Sequence, residues 1–209
     1  MKLTNKLIIT CLMAVVSIGA TAQSAREVLD MTAARLTQKG CIKATFKATQ
    51  FNGLTESGSA KGTMWMSGRK FKMDTSDMVT WFNGQTEWTM LKGSNEVNVS
   101  QPTEAEQQAI NPYTFINIYK KGYRLSVKKG SLRGKDTFVV TMRAKRQRAI
   151  SHVIIDVDSH TYAPLCIRAL RDGNWTRLSI LSFTGEPASE SIFTFPAADY
   201  PNAEIIDLR

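Results

Sequence analysis

Residues 60–91, AKGTMWMSGRKFKMDTSDMVTWFNGQTEWTML, decide how this chain folds. Apolar and polar residues alternate through Thr63-Met64-Trp65-Met66 and again through Lys70-Phe71-Lys72-Met73. Successive side chains of a strand point to opposite faces, so the alternation predicts a sheet whose two faces differ. The stretch reads as four consecutive strands. Asn83-Gly84 separates 78–82 from 85–91 and predicts a two-residue hairpin, because both central positions of a type I′ turn need positive φ. Met64, Met66, Phe71 and Met73 fall on one face. They are large and adaptable, suited to an irregular apolar partner. Nothing in the stretch is placed for catalysis.

The same reading extends in both directions. Ser24-Ala-Arg-Glu27 is a capping box and opens a helix with Val28, Leu29, Thr32, Ala33 and Leu36 on one face, stopped by Gly40. A strand over 41–51 turns Ile42, Ala44, Phe46 and Ala48 one way and Lys43, Thr45, Lys47 and Thr49 the other. A turn over 52–58 leads into the central stretch, and a further strand covers 96–100. Thr103-Glu-Ala-Glu106 is a second capping box. Asn111-Pro112 restarts a helix over 112–121 that carries Tyr113, Phe115, Ile116 and Tyr119. Strands resume at 123–128, 137–142, 150–157, 163–170 and 175–183, with turns at Lys129-Gly130, Asp158-Ser159 and Asp172-Gly173-Asn174. A short strand at 192–195 and a last apolar pattern at 204–207 finish the chain. About a dozen strands in one antiparallel meander must curl or close. Such a sheet either closes tightly over a plain core or loosely around a ligand cavity.

Residues 1–22 have Lys2 and Lys6, an apolar run from Leu7 to Ile18, and Ala20-Thr21-Ala22. That order predicts a secretory leader cleaved near Ala22, leaving 23–209 as a single domain. The formal net charge of the whole chain is +9. An exported basic protein suits acidic partners or lipid headgroups rather than nucleic acid. The dense run Arg143-Ala-Lys-Arg-Gln-Arg148 reads as a solvated loop or as a docking patch for such a partner. Without the leader, two cysteines remain. Cys41 and Cys166 either form a bridge between the first and a late strand or are two buried thiols.

Enzyme chemistry is hard to assemble from what is left. His152 and His160 are the only histidines. Asp158-Ser159-His160 contains triad residue types, but neighbours in a turn diverge, whereas a triad is built from distant positions. Asp156 and Asp158 share a strand face without further metal donors, and no cysteine-histidine spacing suggests zinc. No enzyme activity, cofactor or metal is expected. Trp65 and Trp88 read as sheet packing, and Trp81 and Trp175 as strand-end residues near a rim.

Taken in order, these elements resemble the LolA-type outer-membrane lipoprotein carriers. The resemblance rests on Ala44-Thr-Phe46, Gly62-x-x-Trp65, Arg69-Lys-Phe71-Lys, Asn83-Gly84-x-x-x-Trp88, Asn111-Pro112-Tyr113-x-Phe115 and Phe193-Thr-Phe195-Pro196. It implies a mainly β fold: an incomplete antiparallel β-barrel of about 11–12 strands, with a lid of short α-helices over an apolar cavity that receives lipoprotein acyl chains. The pattern departs at Gly68-Arg69, where family members carry an arginine-proline pair that latches the lid. On this reading the cavity wall is Ile42, Phe46, Met64, Met66, Phe71, Met73 and Met90. The lid is Phe115, Ile116 and Tyr119 together with Val28, Leu29 and Leu36 of the first helix. The protein is then a periplasmic monomer that takes lipoproteins from an inner-membrane lipoprotein-releasing ABC transporter to an outer-membrane acceptor. The rival reading is a periplasmic lipid-sensing regulatory module that binds a membrane protein.

Overall fold

The structure is a computed structural model, and it describes residues 23–37, 40–103, 106, 118–187 and 189–209. The leader expected at 1–22 lies outside the described residues, as do Phe115, Ile116 and most of the helix expected over 112–121.

Helix α1, Ala25–Leu36, starts where the capping box put it. The Glu27 amide donates to Ser24 Oγ at 3.2 Å, and the Ser24 amide donates to Glu27 Oε2 at 2.8 Å. Both orphan donors are thereby satisfied. Its underside buries Ala25, Val28, Leu29, Thr32 and Leu36, and the Thr32 hydroxyl donates back to the Val28 carbonyl rather than staying unpaired.

Among the described residues twelve strands follow: β1 Cys41–Asn52, β2 Thr55–Ser67, β3 Lys70–Thr75, β4 Met78–Phe82, β5 Glu87–Leu91, β6 Glu96–Ser100, β7 Tyr123–Leu132, β8 Lys135–Ala144, β9 Ile150–Asp158, β10 Pro164–Arg171, β11 Asn174–Glu186 and β12 Glu204–Asp207. They form one open sheet in the order β12-β6-β5-β4-β3-β2-β1-β11-β10-β9-β8-β7. Two meanders, β1 to β6 and β7 to β11, are welded by the long β1·β11 pairing, Cys41 opposite Glu186 through to Phe51 opposite Trp175. The expected incomplete barrel is therefore present. One pair breaks the antiparallel rule: β12 returns to run parallel to β6.

The alternation of the central stretch resolves into two cores on opposite faces. On the concave face Ile42, Ala44, Phe46, Met64, Met66, Phe71 and Phe82 join Val140, Met142, Val153, Ile155, Ile167 and Ile180 beneath α1. On the convex face Val79, Trp81, Met90 and Val97 pack with Phe195, while Trp88, Tyr200 and Ala203 lie against them. Trp81, expected near a rim, is 2% exposed there, with the Phe195 ring edge-on at 5.4 Å. The chain gains this second core because the segment after β11 crosses back over the sheet. That segment is not the short strand expected at 192–195 but a 3-10 turn, Glu190–Phe193, capped by Ser189.

Turn chemistry corrects several boundaries. Asn83-Gly84 does not close a two-residue hairpin, since Phe82 pairs with Glu87 and leaves a four-residue loop. The Asn83 side chain organises that loop by accepting from the amides of Gln85 and Thr86 at 3.0 and 2.9 Å, and Gly84 alone takes positive φ. Lys129-Gly130 lies inside β7. The reversal comes at Arg133-Gly134, both at positive φ, as a type I′ hairpin demands. Gly62 has a different reason: a Cβ there would sit 2.5 Å from the Asp74 carbonyl and 2.8 Å from the Phe46 ring. Strand β2 can only approach β1 and β3 so closely without a side chain.

The bridge between Cys41 and Cys166 is not made; both thiols are free and buried. Cys166 is opposite Ser179, which is opposite Lys47, six positions along β1 from Cys41. At about 3.3 Å per residue that is about 20 Å along the sheet, far beyond disulfide reach.

Candidate functional site

The concave face is apolar from β3 to β9, and α1 lies across it. Ile42, Phe46, Met64, Met66 and Phe71 are all at most 5% exposed, and Met73 packs against the same cluster. Val28 and Leu29 have no exposed surface, and Leu36 and Tyr119 are buried with them. The structure therefore brings together these expected wall and lid residues. Met90 is not among them. It faces Val79 across β4·β5 and belongs to the convex core with Trp81, so it is not a wall residue of this cavity.

One hollow beneath α1, of about 30 Å³, is lined by Leu36, Ala44, Phe46, Met64, Met66, Pro164, Ile167, Leu178, Ile180 and Phe183. It is little more than the share of one water molecule, and its lining offers no polar side chain to hold one. Around this hollow the face is filled by its own side chains. Half of the lining comes from β10 and β11, which the sequence reading left out. Their alternation, Ile167 with Ala169 and Leu178 with Ile180, was visible, but the β1·β11 pairing that brings them beside Ala44 and Phe46 was not.

Polar contacts hold α1 at its start, middle and end. Gln23 Nε2 donates to the Tyr162 hydroxyl at 2.7 Å. The Tyr119 hydroxyl donates to the Asp30 carboxylate, and the Arg26 guanidinium lies 5.8 Å from the Tyr119 ring centre. The Arg35 guanidinium lies 5.8 Å from the Phe183 ring centre. Burial, and then the Asp30 carboxylate, push the Tyr119 hydroxyl up to about 12, so it remains a donor at any pH the protein meets. Tyr119 sits in a 3-10 turn, Ile118–Lys120, immediately after the undescribed segment. Arg69, at the position of the family's latching pair, lies in the tight β2–β3 turn and makes no hydrogen bond or ion pair among the described residues.

The remaining chemically suggestive residues are occupied structurally. Asp158 caps its own turn: Oδ1 accepts the amides of His160 and Thr161, and Lys135 pairs with Oδ2 at 3.0 Å. Burial alone would raise this carboxyl, but those partners hold it down to about 2. Ser159 touches the His160 ring only as a chain neighbour, at 3.2 Å. Asp156 is paired with Arg168 at 2.8 Å. Among the described residues no group of carboxylates, cysteines and histidines could hold a metal ion, and no helix is long and apolar enough to cross a membrane.

A family profile described as outer membrane lipoprotein carrier protein LolA matches residues 15–174, most of the chain. The chain belongs to the LolA family. No curated protein matches it. Several solved structures are similar to this chain at low identity. A LolA superfamily protein from Nitrosomonas europaea is 9% identical, with a TM-score of 0.44, covering 83% of this chain and 98% of that one. LprF from Mycobacterium bovis is 10% identical, with a TM-score of 0.49 and coverage of 79% and 94%. MucB in the MucA/MucB complex of Pseudomonas aeruginosa is 16% identical, with a TM-score of 0.46, covering 83% of this chain and 61% of that one.

Proposed function

We propose that this LolA-family protein is a periplasmic carrier that buries lipoprotein acyl chains against its concave face and ferries them from the inner to the outer membrane. The observation that carries the reading is a continuous apolar face across which α1 lies, its helix held by a few polar contacts. Such a face cannot take an acyl chain while α1 is down. When α1 lifts, Val28, Leu29 and Leu36 lose burial worth roughly 1.5–3 kcal/mol each. About ten buried CH₂ groups return about 8 kcal/mol. The two quantities are comparable, so the chain replaces the lid at little net cost, and the lid replaces the chain at delivery. A carrier needs that balance, because binding much tighter would prevent release.

Methionine and phenylalanine suit the task. Met64, Met66 and Met73 repack around chains of variable shape, and the lining has no polar clamp to select one headgroup. On this reading the donor is an inner-membrane lipoprotein-releasing ABC transporter, the recipient is an outer-membrane acceptor, and the carrier works as a monomer without a cofactor. Titration with a fluorescent diacyl lipopeptide tests it. Saturable binding at one site per chain, lost in Phe71→Glu but kept in a conservative Phe71→Leu protein, is the expected result. Equal binding by a folded Phe71→Glu protein would refute it.

A further inference from the structure

The convex face carries a second surface that lipid burial does not use. The β1–β2 hairpin projects: Thr55–Ser59 of β2 are all exposed, and Leu54 at its tip is 100% exposed. Behind the tip, Phe51 is opposite Trp175, and the Arg177 guanidinium lies 4.9 Å from the Phe51 ring centre. These residues with Leu54 border a hollow of about 240 Å³. Arg168 and Arg177 are shared with a wider basin of about 700 Å³ that also contains Lys47, Lys61 and Arg133. Its lining has one carboxylate, Asp156.

The strand register makes this charge expensive. Lys47 is directly opposite Lys61, and Arg168 directly opposite Arg177. Like charges facing each other across a sheet are destabilising. Glu56 and Asp156 answer Lys47 and Arg168, but Lys61 and Arg177 have no carboxylate partner among the described residues. A leucine left wholly in water beyond an aromatic pair, with two facing pairs of cations behind it, is the arrangement of a membrane-surface anchor. The apolar tip enters the headgroup boundary, and the cations meet lipid phosphates.

We infer that the β1–β2 tip and the basin behind it dock the protein on an anionic phospholipid surface, apart from the cavity that takes acyl chains. Charge complementarity selects this occupant: five cations, Lys47, Lys61, Arg133, Arg168 and Arg177, face one carboxylate across the basin, and the most exposed apolar side chain, Leu54, stands at the projecting end. Docking brings a carrier to the bilayer from which chains are taken or to which they are returned, and it also operates when the cavity is empty.

Co-sedimentation of the empty full-length mature protein with phosphatidylglycerol-containing vesicles, and with pure phosphatidylcholine vesicles, tests this. Binding to the anionic vesicles should exceed binding to the neutral ones at least tenfold and fall steeply with salt. Near such a surface each cation is worth about a fivefold change in affinity, so the double change Lys61→Gln and Arg177→Gln should weaken binding about thirtyfold. Leu54→Ser should weaken it further while leaving lipopeptide uptake and the melting temperature unchanged. Uptake is read separately, so failure of the cavity reading does not masquerade as failure of this one. No binding of the unmodified protein to anionic vesicles would overturn the inference. So would equal binding by the folded variants, or tight binding of a soluble acidic peptide in the basin without vesicle binding.

Discussion

Met66→Glu places a carboxyl at a buried point of the concave face. Met66 is 5% exposed and stands between Ile42 on β1 and Phe71 on β3. It borders the residual cavity with Phe46 and Ile180, and no cation is in that lining. An unpaired carboxylate covered by acyl chains is untenable, so the loaded protein must hold this group protonated. Its pKa in the loaded state lies above the ordinary value, so the penalty is fully present at high pH and vanishes below the ordinary carboxyl pKa. Measured from an empty protein in which α1 lifts off the charged group and water restores an ordinary pKa of about 4.3, protonation costs about 3.7 kcal/mol at pH 7 and about 1 kcal/mol at pH 5. Acyl-probe affinity of Met66→Glu should therefore be down by up to about 500-fold at pH 7 and about fivefold at pH 5. Fluorescence titration at the two pH values reads the difference, with far-UV circular dichroism to confirm the fold and Met66→Gln as a pH-independent control. A folded Met66→Glu protein whose probe affinity is the same at pH 7 and pH 5 would show that the acyl chain does not cover this position.

Tyr119→Phe removes the hydroxyl that donates to Asp30 and should loosen α1 by about 1–2 kcal/mol. Faster amide exchange across Ala25–Leu36 and faster probe uptake are expected; unchanged exchange would mean the contact does not hold the lid. Gly62→Ala should cost about 1–3 kcal/mol on thermal unfolding, since its Cβ would press the Asp74 carbonyl and the Phe46 ring. Glu87 is buried beside Phe82, its Oε2 without a partner, and burial and then Glu106 raise its pKa. Its charge therefore destabilises the fold above the raised pKa and not below the ordinary one. Glu87→Gln should raise the melting temperature at pH 7 and lose that advantage as the pH falls through the raised value; an advantage that persists in acid would contradict this.

Much of the sheet was legible because alternation reports directly which side chains share a face. Met64, Met66, Phe71 and Met73 were placed together correctly for that reason. Alternation does not say which face another segment covers, and Met90 was misplaced on that account. Its parity follows Trp81 and Val79, and the cover over that face comes from Phe195 and Tyr200, more than a hundred residues away in the chain. Turns failed where a side chain did the backbone's work, as Asn83 does, or where an arginine took positive φ, as Arg133 does. The far wall of the cavity was missed because Ile180 and Phe183 reach it only through a pairing between the first and eleventh strands. Local pattern carries no trace of such a long-range contact. The start of helix α1, by contrast, was readable to the residue from Ser24 and Glu27.

Photo-crosslinking from the acyl chain itself tests the central claim most directly. A lipopeptide with a diazirine midway along one acyl chain would be bound to the protein, irradiated and mapped by mass spectrometry. Crosslinks concentrated on Phe46, Met64, Met66, Ile180 and the underside of α1, competed away by unlabelled lipopeptide, are the expected result. Crosslinks confined to the convex core around Trp81 and Met90, or none above a heat-unfolded control, would contradict the account.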